Sequence, residues 1–476
     1  MISGLCIDGV WSRGNGPALE VVNPSTGEIL AKIAGAGRRQ VDEAVRAASR
    51  ALPQWRRVPP AERAALLRRV AVGIGEASES LIALQMANNG KPRCEAELDI
   101  ADAAATWDYY ADLCETAPGL EGTKIALPDP VFSARAVLEP VGVVGLIVPW
   151  NFPMVTTSWK LAPALAAGCT AVLKSSELTP LAEIELIRIL HEAGLPAGTV
   201  NLLQGTGQEV GAALVDHPLI AKLSFTGSTA VGRSVMRQAA ESIKRVSLEL
   251  GGKSALIVCE DADLGAALDL AAGGAFFNAG QMCSATSRIL VHERRYEAFL
   301  AELAERAATM IVGDPVTGEV DMGPLIGAGP RARIDAMVQA GLAAGARLAV
   351  GGRSLPGKGY FYRPTILADV PDDSPLWRDE IFGPVACVRS FSTDEDAVRL
   401  ANDSVYGLVS TVVTTSAERA RRYEEELAVG LVWVNMPQVI FPQTAWGGFK
   451  QSGLGRELGP WGLRSYQEVK HVVSAV

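Results

Sequence analysis

From residue 141 onward, short apolar runs alternate with longer stretches of helical periodicity, and this alternation constrains the fold more than any other feature of the chain. Such runs are typical of buried strands in a mostly parallel sheet, because helices cover both faces of a sheet of this kind. The alternation therefore predicts the α/β fold class. The runs lie at 141–148, 171–173, 200–203, 223–225 and 255–258.

A second alternating series follows residue 254, and the chain of 476 residues exceeds the size at which one hydrophobic core keeps growing. We therefore predict two doubly wound α/β domains, one formed by 1–121 and 141–251 and the other by 252–450. The second series has predicted helices and strands at 264–277, 288–291, 296–310, 331–345 and 431–434. Periodicity in the first 120 residues predicts helices at 41–52, 61–86 and 100–115.

Two segments outside both series have the pattern of β-strands. Residues 131–138 alternate in polarity and stop at Pro140, and the tail at 467–473 is rich in valine. Because both segments lie outside either predicted core, we expect a small β arm, over 122–140 and 467–476, that pairs with another subunit.

Charge and composition argue against several classes of partner. The chain has 44 basic and 53 acidic residues, a net charge of −9 and no basic run, which argues against nucleic-acid binding. The apolar stretch at 161–173 is too short to span a membrane. We therefore expect neither a nucleic-acid nor a membrane partner.

The cysteines and histidines argue against a metal site and a disulfide framework. Seven cysteines are scattered without a CxxC pair, and none of the four histidines lies near Cys283 in sequence. The N-terminus lacks the charged and then apolar pattern of a secretory signal. The reducing cytoplasm is therefore the predicted location.

Two segments each place one reactive side chain among small residues. Residues 248–254 read LELGGKS, and 277–285 read FNAGQMCSA. The small neighbours of Cys283 leave room around its sulfur for a substrate carbonyl, and Glu249 lies beside two glycines where a ligand can approach the backbone. Together they predict a nucleophile and a base. Taken singly, such a cysteine is more often a buried hydrophobe and such a glutamate a solvated surface group.

A predicted strand ending at Phe225 runs into a glycine turn and a helix N-terminus at 226–232. Exposed backbone N–H groups and the helix dipole favour a phosphate there, and Ser228 adds a hydroxyl donor. A plain glycine turn with a serine cap is the alternative, since the GxGxxG spacing is absent. Lys174 and Glu177 follow another predicted strand, where they suit a ribose-binding pair or, equally, a surface ion pair.

The two reactive segments resemble the signature segments of the aldehyde dehydrogenase superfamily, in the family's order and at about its spacing. The resemblance extends over nearly the whole chain through PWNFP (149–153), KSSE (174–177), FTGST (225–229), EIFGP (380–384) and GGFKQSG (447–453). It implies the aldehyde dehydrogenase fold, with a Rossmann-like cofactor domain, a catalytic domain and a β arm that bridges subunits into a homodimer or homotetramer.

The resemblance also implies that the cofactor is NAD. In the matching motifs Ser228 and Trp150 contact the pyrophosphate, and Lys174 and Glu177 hold the adenosine ribose, where a carboxylate disfavours the 2′-phosphate of NADP. Glu380 matches the glutamate that holds the nicotinamide ribose. The remaining implied cofactor residues are Val148, Pro149, Gly207, Phe225, Gly227, Leu250, Gly251 and Phe382.

The implied reaction is oxidation of an aldehyde to a carboxylate. Cys283 would form a thiohemiacetal whose oxyanion is bound by Asn151, and Glu249 would activate water against the later thioester. Family members that pass the acyl group to coenzyme A generally lack this glutamate, so hydrolysis is favoured. Lys160 and Glu457 align with a pair proposed to relay protons, and a structural buried ion pair is an equal alternative.

Four aromatic residues match the channel of the subfamily that oxidises betaine aldehyde and ω-aminoaldehydes, in which aromatic rings hold a cation. They are Phe152, Trp159, Phe277 and Trp446. Core packing is the alternative for each ring. The chain departs from the pattern at Phe152 and Phe277, where plant members have Tyr and Trp, and at Ala445, where proline is usual.

Leu431 matches a position where a branched side chain narrows the pocket, so we expect primary aminoaldehydes to be better substrates than betaine aldehyde. The alternative substrates are general aliphatic or aromatic aldehydes, or betaine aldehyde itself. A cysteine acyl transferase or hydrolase without redox chemistry, or a silent protein on the same fold, is the alternative of a different class.

Overall fold

The computed structural model describes residues 3–117 and 121–475 and folds them around two large β-sheets. In chain order, the strands that precede residue 250 are β1 (Leu5–Ile7), β2 (Val10–Ser12), β3 (Ala18–Val22), β4 (Ile29–Ala34), β5 (Thr123–Ile125), β6 (Phe132–Pro140), β7 (Val143–Ile147), β8 (Thr170–Lys174), β9 (Val200–Leu203), β10 (Ile220–Thr226) and β11 (Arg245–Glu249). Those that follow are β12 (Ala255–Val258), β13 (Arg288–His292), β14 (Arg347–Val350), β15 (Thr365–Ala368), β16 (Val385–Phe391), β17 (Tyr406–Gly407), β18 (Val409–Val413), β19 (Leu431–Val434), β20 (Phe449–Lys450), β21 (Gly453–Leu454) and β22 (Gln467–Ala475).

Helices connect and cover these strands. In chain order the α-helices are α1 (Arg38–Trp55), α2 (Pro60–Glu76), α3 (Ser78–Asn88), α4 (Arg93–Glu115), α5 (Pro153–Ala167), α6 (Leu181–Glu192), α7 (Ala212–Asp216), α8 (Thr229–Ala240), α9 (Leu264–Phe276), α10 (Glu293–Thr309), α11 (Ala328–Ala343), α12 (Pro375–Arg378), α13 (Asp394–Asn402), α14 (Ala417–Glu426) and α15 (Gly459–Arg464). A short π-helical turn, Gly207–Gly211, precedes α7. No helix among the described residues is long and apolar enough to cross a membrane.

The first large sheet has the strand order β2-β1-β9-β8-β7-β10-β11-β21. Its centre, from β9 to β11, is parallel, and the outer strands β1, β2 and β21 are antiparallel. Every residue of β7, β8 and β9 is buried, as expected for parallel strands covered by helices on both faces. The apolar runs predicted at 141–225 are confirmed as strands of this sheet.

The second large sheet has the order β14-β15-β16-β13-β12-β18-β19. The run at 255–258 forms β12, which pairs with β13 and β18. The run therefore belongs to the second sheet, in agreement with its position within the range 252–450, although its pattern was grouped with the runs of the first series. Its apolar pattern identifies a buried strand but carries no information about the sheet that the strand joins.

Three further differences concern the elements before the active site. The single helix predicted at 61–86 is two helices, α2 and α3, which meet at Ala77, and Gly73 and Gly75 in the last turn of α2 were the sequence signal for this break. Strand β11, which ends at Glu249, was not predicted, although its sequence RVSLE alternates between polar and apolar residues. Helix α4 starts seven residues before the predicted start of 100, directly after Pro92.

The two outlying segments pair with each other. Strand β22 runs antiparallel to β6 from Gln467↔Pro140 to Ala475↔Phe132, and β5 pairs with the other edge of β6. Pairing of this arm with another subunit and the predicted domain limits stay predictions. Residues 1, 2, 118–120 and 476 of those predicted ranges lie outside the described residues.

Candidate active site

A cavity of about 1010 Å³ lies where segments of both sheets meet. Much of its lining follows the carboxyl ends of β7, β8, β10 and β11, which is where ligands bind in open α/β sheets. The cavity brings together most of the predicted site residues. Those that line it are Val148, Pro149, Trp150, Asn151, Phe152, Trp159, Lys174, Glu177, Gly207, Phe225, Gly227, Ser228, Glu249, Leu250, Gly251, Phe277, Cys283, Glu380, Phe382, Trp446 and Glu457.

Two predicted site residues do not line this cavity. Lys160 lies behind Glu457, with which it forms a fully buried ion pair. Leu431 packs against the hydrophobic cluster that contains Trp159 and Trp446. The expectation that Leu431 narrows the pocket stays a prediction, and such an effect would have to pass through the residues that line the cavity.

Cys283 is half-buried and follows a tight turn at Phe277–Gly280. Asn278, Ala279 and Gly280 have φ values of 50°, 52° and 69°. A side chain on Gly280 would overlap the carbonyl oxygen of Gly383, so close backbone contact requires glycine there. Burial, with the negative charges of Glu380 and Glu249, raises the pKa of the Cys283 thiol to about 12. The thiol therefore needs a base before it can attack.

Glu249 ends strand β11, and it is buried. Neither carboxyl oxygen has a hydrogen-bond partner within residues 3–117 and 121–475. Burial, reinforced by Glu457, raises the pKa of Glu249 well above its ordinary value, while Lys160 and Arg456 oppose the shift. A carboxyl group without fixed partners and with a raised pKa is suited to proton transfer near neutral pH.

Asn151 follows β7 and is tied to the segment that precedes Cys283. Its Nδ2 donates to the carbonyl oxygen of Gln281 at 2.9 Å, and its own carbonyl oxygen accepts from Asn278 Nδ2 at 3.1 Å. An amide nitrogen carries two hydrogens, so one donor remains for a ligand. The carboxamide is thus held in place while keeping a donor for an oxyanion.

Lys160, Ser224 and Glu457 form a buried polar group behind the cavity wall. Lys160 Nζ donates to Ser224 Oγ at 3.2 Å, and Ser224 Oγ donates to Glu457 Oε1 at 3.1 Å. Glu457 also lines the cavity, as does Glu249. The sequence analysis did not include Ser224, which bridges the two charged groups.

One end of the cavity suits a dinucleotide. Ser228 is the N-cap of α8 and accepts from Val231 N at 3.4 Å, so its own hydrogen stays free to be donated. A Cβ on Gly227 would lie 2.6 Å from the Phe225 ring, and the buried Thr226 Oγ1 has no partner within the described residues. Lys174 Nζ is paired with Glu177 Oε2 at 2.8 Å.

Glu380 lies further along the same cavity. Its Oε1 accepts from Gly252 N at 3.2 Å, and a side chain on Gly251 would overlap its carboxyl group. Burial raises the pKa of Glu380 to about 7 against the opposing Gly252 N–H, Arg333 and Lys253. The anion-binding helix start and the two carboxylates, Glu177 and Glu380, fit the phosphates and two riboses of NAD.

The other end of the cavity is aromatic. The rings of Phe152 and Phe277 are nearly parallel, with centroids 6.4 Å apart, and those of Trp159 and Trp446 are 5.5 Å apart. Trp159 Nε1 donates to Asp102 Oδ1 at 3.3 Å. The four predicted aromatic residues therefore line the same cavity as two ring pairs.

Asp99 and Asp102 of α4 also line the aromatic end and were missed by the sequence analysis. Asp99 forms an ion pair with the buried Lys91, whose Nζ lies 3.6 Å from the centroid of the Phe152 ring. Burial raises the pKa of Asp102 to about 7, although Trp159 and Thr106 donate to it. The sequence did contain a signal for these two residues. They are carboxylates three positions apart on the side of α4 that also carries the buried residues Ile100 and Trp107.

The chain matches known proteins along nearly its whole length. A family model described as "Aldehyde dehydrogenase family" matches residues 11–472. The chain belongs to this family. The predicted resemblance is thereby confirmed.

Two relatives and one solved structure illustrate the match. The chain is 43% identical over 483 residues to aminoaldehyde dehydrogenase 1, peroxisomal, of Malus domestica, covering 99% of this chain and 95% of the relative. It is 44% identical over 477 residues to betaine aldehyde dehydrogenase 1 of Oryza sativa subsp. japonica, covering 98% and 94%. The NAD⁺ complex of aldehyde dehydrogenase from Bacillus cereus is 40% identical and superposes with a TM-score of 0.97 over 100% of this chain and 97% of that one. This superposition confirms the predicted fold.

Proposed function

We propose that the chain oxidises an ω-aminoaldehyde to the corresponding amino carboxylate. NAD-dependent oxidation of an aldehyde is the activity that membership of the aldehyde dehydrogenase family assigns to it. The aminoaldehyde part is carried by one observation, the carboxylate of Asp102 at the aromatic wall of the cavity that also holds Cys283. Relatives named aminoaldehyde dehydrogenases support the same substrate class.

NAD would lie against Ser228 and the start of α8, with Glu177 and Glu380 at its two riboses. When bound, it supplies an acceptor for the hydride that leaves the tetrahedral adduct on Cys283. Gly227 and Gly251 leave the space that side chains would otherwise fill. Trp150 and Phe382, whose rings meet edge to face at 5.4 Å, line the same cavity.

Cys283 acts on the aldehyde carbon. Its sulfur forms a bond to that carbon, the carbonyl π electrons move to oxygen, and the thiol proton leaves to a base. The resulting oxyanion is stabilised by the free Nδ2 hydrogen of Asn151 and by the backbone N–H of Cys283. Loss of hydride from this thiohemiacetal leaves a thioester on Cys283.

Glu249 then takes a proton from water as the water oxygen bonds to the thioester carbon, and the C–S bond breaks to release the carboxylic acid and leave the Cys283 sulfur as a thiolate. A raised pKa makes this carboxyl group a better base than an ordinary surface glutamate when it is ionised. Glu457, Ser224 and Lys160 offer a buried route by which the accepted proton moves away from Glu249.

The ammonium group of the substrate would lie near Asp102. Asp99 is already paired with Lys91, whereas the donors to Asp102 are the neutral groups of Trp159 and Thr106. A cationic amine at Asp102 would therefore gain an ion pair as well as contact with aromatic faces, worth about 0.5 to 2 kcal/mol. A neutral aldehyde would gain neither.

The purified protein tests this proposal with two aldehydes of equal length, 3-aminopropanal and propanal, and NADH formation as readout. We expect kcat/KM to be at least about tenfold higher for 3-aminopropanal. Asp102→Asn should reduce that advantage and leave propanal within about twofold, and Trp446→Ala should also act selectively. Asp108→Asn, an exposed carboxylate on the same helix, is the matched control.

A preference of the wild type for propanal, or equal loss of both substrates in Asp102→Asn, would exclude the aminoaldehyde proposal and leave a general aldehyde dehydrogenase. Better turnover of betaine aldehyde than of 3-aminopropanal would favour the trimethylammonium substrate instead. Absence of NAD binding together with acyl transfer from thioesters would favour the class of cysteine acyl transferases.

We propose the cytoplasm as the compartment and a homodimer or homotetramer as the assembly. All seven cysteines are free, as suits a reducing environment. The arm formed by β5, β6 and β22 exposes Val469 and Val473, which a partner subunit would cover. Light scattering of the purified protein and of a variant truncated before 467 would measure the assembly and the part that this arm plays in it.

A further inference from the structure

We propose that Glu95 is a positioning residue for the oxyanion site. Glu95 lies on α4, 183 residues from the residue that it contacts, and touches neither Cys283 nor Asn151 in the hydrogen-bond network. This inference rests on the proposed function, because it assigns Glu95 to the step in which Asn151 stabilises the oxyanion on the aldehyde.

Glu95 binds the backbone of the turn before Cys283. The N–H of Asn278 donates to both carboxyl oxygens of Glu95 at 3.0 Å each. Glu95 is 4% exposed, and this N–H is its one hydrogen-bond donor among residues 3–117 and 121–475. The nearby Lys91 is occupied by Asp99, so Glu95 has no ion-pair partner in that part of the chain.

The turn that Glu95 holds is conformationally unfavourable. Asn278 and Ala279 are consecutive non-glycine residues with φ values of 50° and 52°. The left-handed region is unfavourable for residues with a Cβ, and Asn tolerates it better than Ala does. Such a conformation persists where surrounding contacts determine it, and the hydrogen bond from Asn278 N to Glu95 is one such contact.

Asn278 passes this constraint to the oxyanion site. Its Nδ2 donates to the carbonyl oxygen of Asn151 at 3.1 Å and to that of Gln281 at 3.3 Å. The same Gln281 carbonyl accepts from Asn151 Nδ2 at 2.9 Å, which orients the carboxamide. Glu95 therefore fixes Asn278, and Asn278 fixes both the backbone and the side chain of Asn151.

The position of Glu95 is difficult to explain by stability alone. A buried carboxyl group loses solvation that one backbone hydrogen bond does not replace, and burial raises the pKa of Glu95 to about 8 against the opposing Asn278 N–H and Lys91, with Asp99 adding to the shift. An apolar side chain would avoid this loss. The hydrogen bond from Asn278 N–H in the turn explains why a carboxyl group is present at position 95.

The test compares Glu95→Leu with Glu95→Gln in the full-length protein. Leucine removes the acceptor, and we expect kcat for aldehyde oxidation to fall about 10- to 100-fold with little change in NAD affinity, as for a small displacement of an oxyanion donor. Glutamine keeps an acceptor oxygen and should retain activity within about threefold. Glu97→Leu, an exposed position on the same helix, should match the wild type.

A cycle with Asn151→Ala separates positioning from general stability. If Glu95 acts through Asn151, adding Glu95→Leu to the Asn151→Ala variant should lower kcat little further. If the two residues act independently, the double variant should lose kcat by the product of the two single losses. If Glu95→Leu does not fold, Glu95→Asp, which withdraws the acceptor by one methylene, should show the same masked loss.

The inference would be overturned if the two substitutions reduced kcat multiplicatively in the double variant, or if Glu95→Leu alone kept the wild-type kcat. Either result would leave the proposed function intact. A wild-type enzyme that does not oxidise aldehydes would instead overturn the function itself.

Discussion

Gly447 lies directly against the carboxyl group of Glu249, since a Cβ on Gly447 would come within 2.7 Å of Oε1. The φ of Gly447 is 142°, which side chains also disfavour. The backbone of the segment at 447 therefore shapes the space in which Glu249 moves and in which water must reach a thioester.

Gly447→Ala should push the Glu249 carboxyl group aside and slow steady-state turnover by about tenfold or more, because a displaced base no longer reaches the attacking water. Binding of NAD, measured by fluorescence quenching, should change little. Gly357→Ala, at an exposed glycine that also has a positive φ but open space where its Cβ would lie, is the matched control. Unchanged turnover in Gly447→Ala would mean that Glu249 adjusts freely.

Glu249→Gln should separate the two halves of the reaction. Glutamine keeps the shape of the side chain but cannot accept a proton from water, so thioester hydrolysis should slow more than thioester formation. A rapid-mixing trace should show a burst of NADH approaching one per active site, followed by slow turnover. Equal slowing of both phases would assign Glu249 to deprotonation of Cys283 instead.

The raised pKa of Cys283 gives a pH dependence. An acid with a raised pKa is mostly protonated below that pKa, so the reactive thiolate fraction should still be rising at pH 9. In the protein without NAD, carboxamidomethylation of the Cys283 peptide, followed by mass spectrometry, should accelerate about tenfold per pH unit from pH 7 to 10. A plateau near pH 8 would show that the thiol is not held in its neutral form.

Glu177 should enforce a preference for NAD over NADP. Its carboxylate, paired with Lys174, would repel the 2′-phosphate of NADP. Glu177→Gln should therefore raise kcat/KM for NADP by about tenfold, with a smaller effect on NAD, and Glu192→Gln at the exposed end of α6 should have no effect. Wild-type efficiency with NADP equal to that with NAD would contradict this role.

The sequence alone was sufficient to predict features that depend only on neighbouring residues in the chain. The strings around Glu249 and Cys283 carry their own small neighbours, and the runs at 171–173 and 200–203 are strands because their apolar pattern suits a position buried on both faces. The pattern of the run at 255–258 does not itself identify its sheet, because sheet membership depends on contacts far along the chain.

The parts that sequence did not reveal depend on distant pairs. Asp102 accepts a hydrogen bond from Trp159, which lies 57 residues away, and Glu95 accepts one from Asn278, which lies 183 residues away. These contacts connect the two carboxyl groups to the active site. Their own helix gives no sign of these partners. Leu431 could be matched to a motif, but only the packing shows that it contacts the hydrophobic cluster containing Trp446 and does not line the cavity.

The central claim is that Cys283 carries the acyl group of an aminoaldehyde during NAD-dependent oxidation. The most direct measurement is mass spectrometry of Glu249→Gln quenched after mixing with NAD and 3-aminopropanal. We expect the peptide containing Cys283 to gain the mass of the aldehyde less two hydrogen atoms, and Cys283→Ala to show neither the adduct nor NADH formation. NADH formed without an adduct on Cys283, or with the adduct on another cysteine such as the exposed Cys94, would contradict the claim.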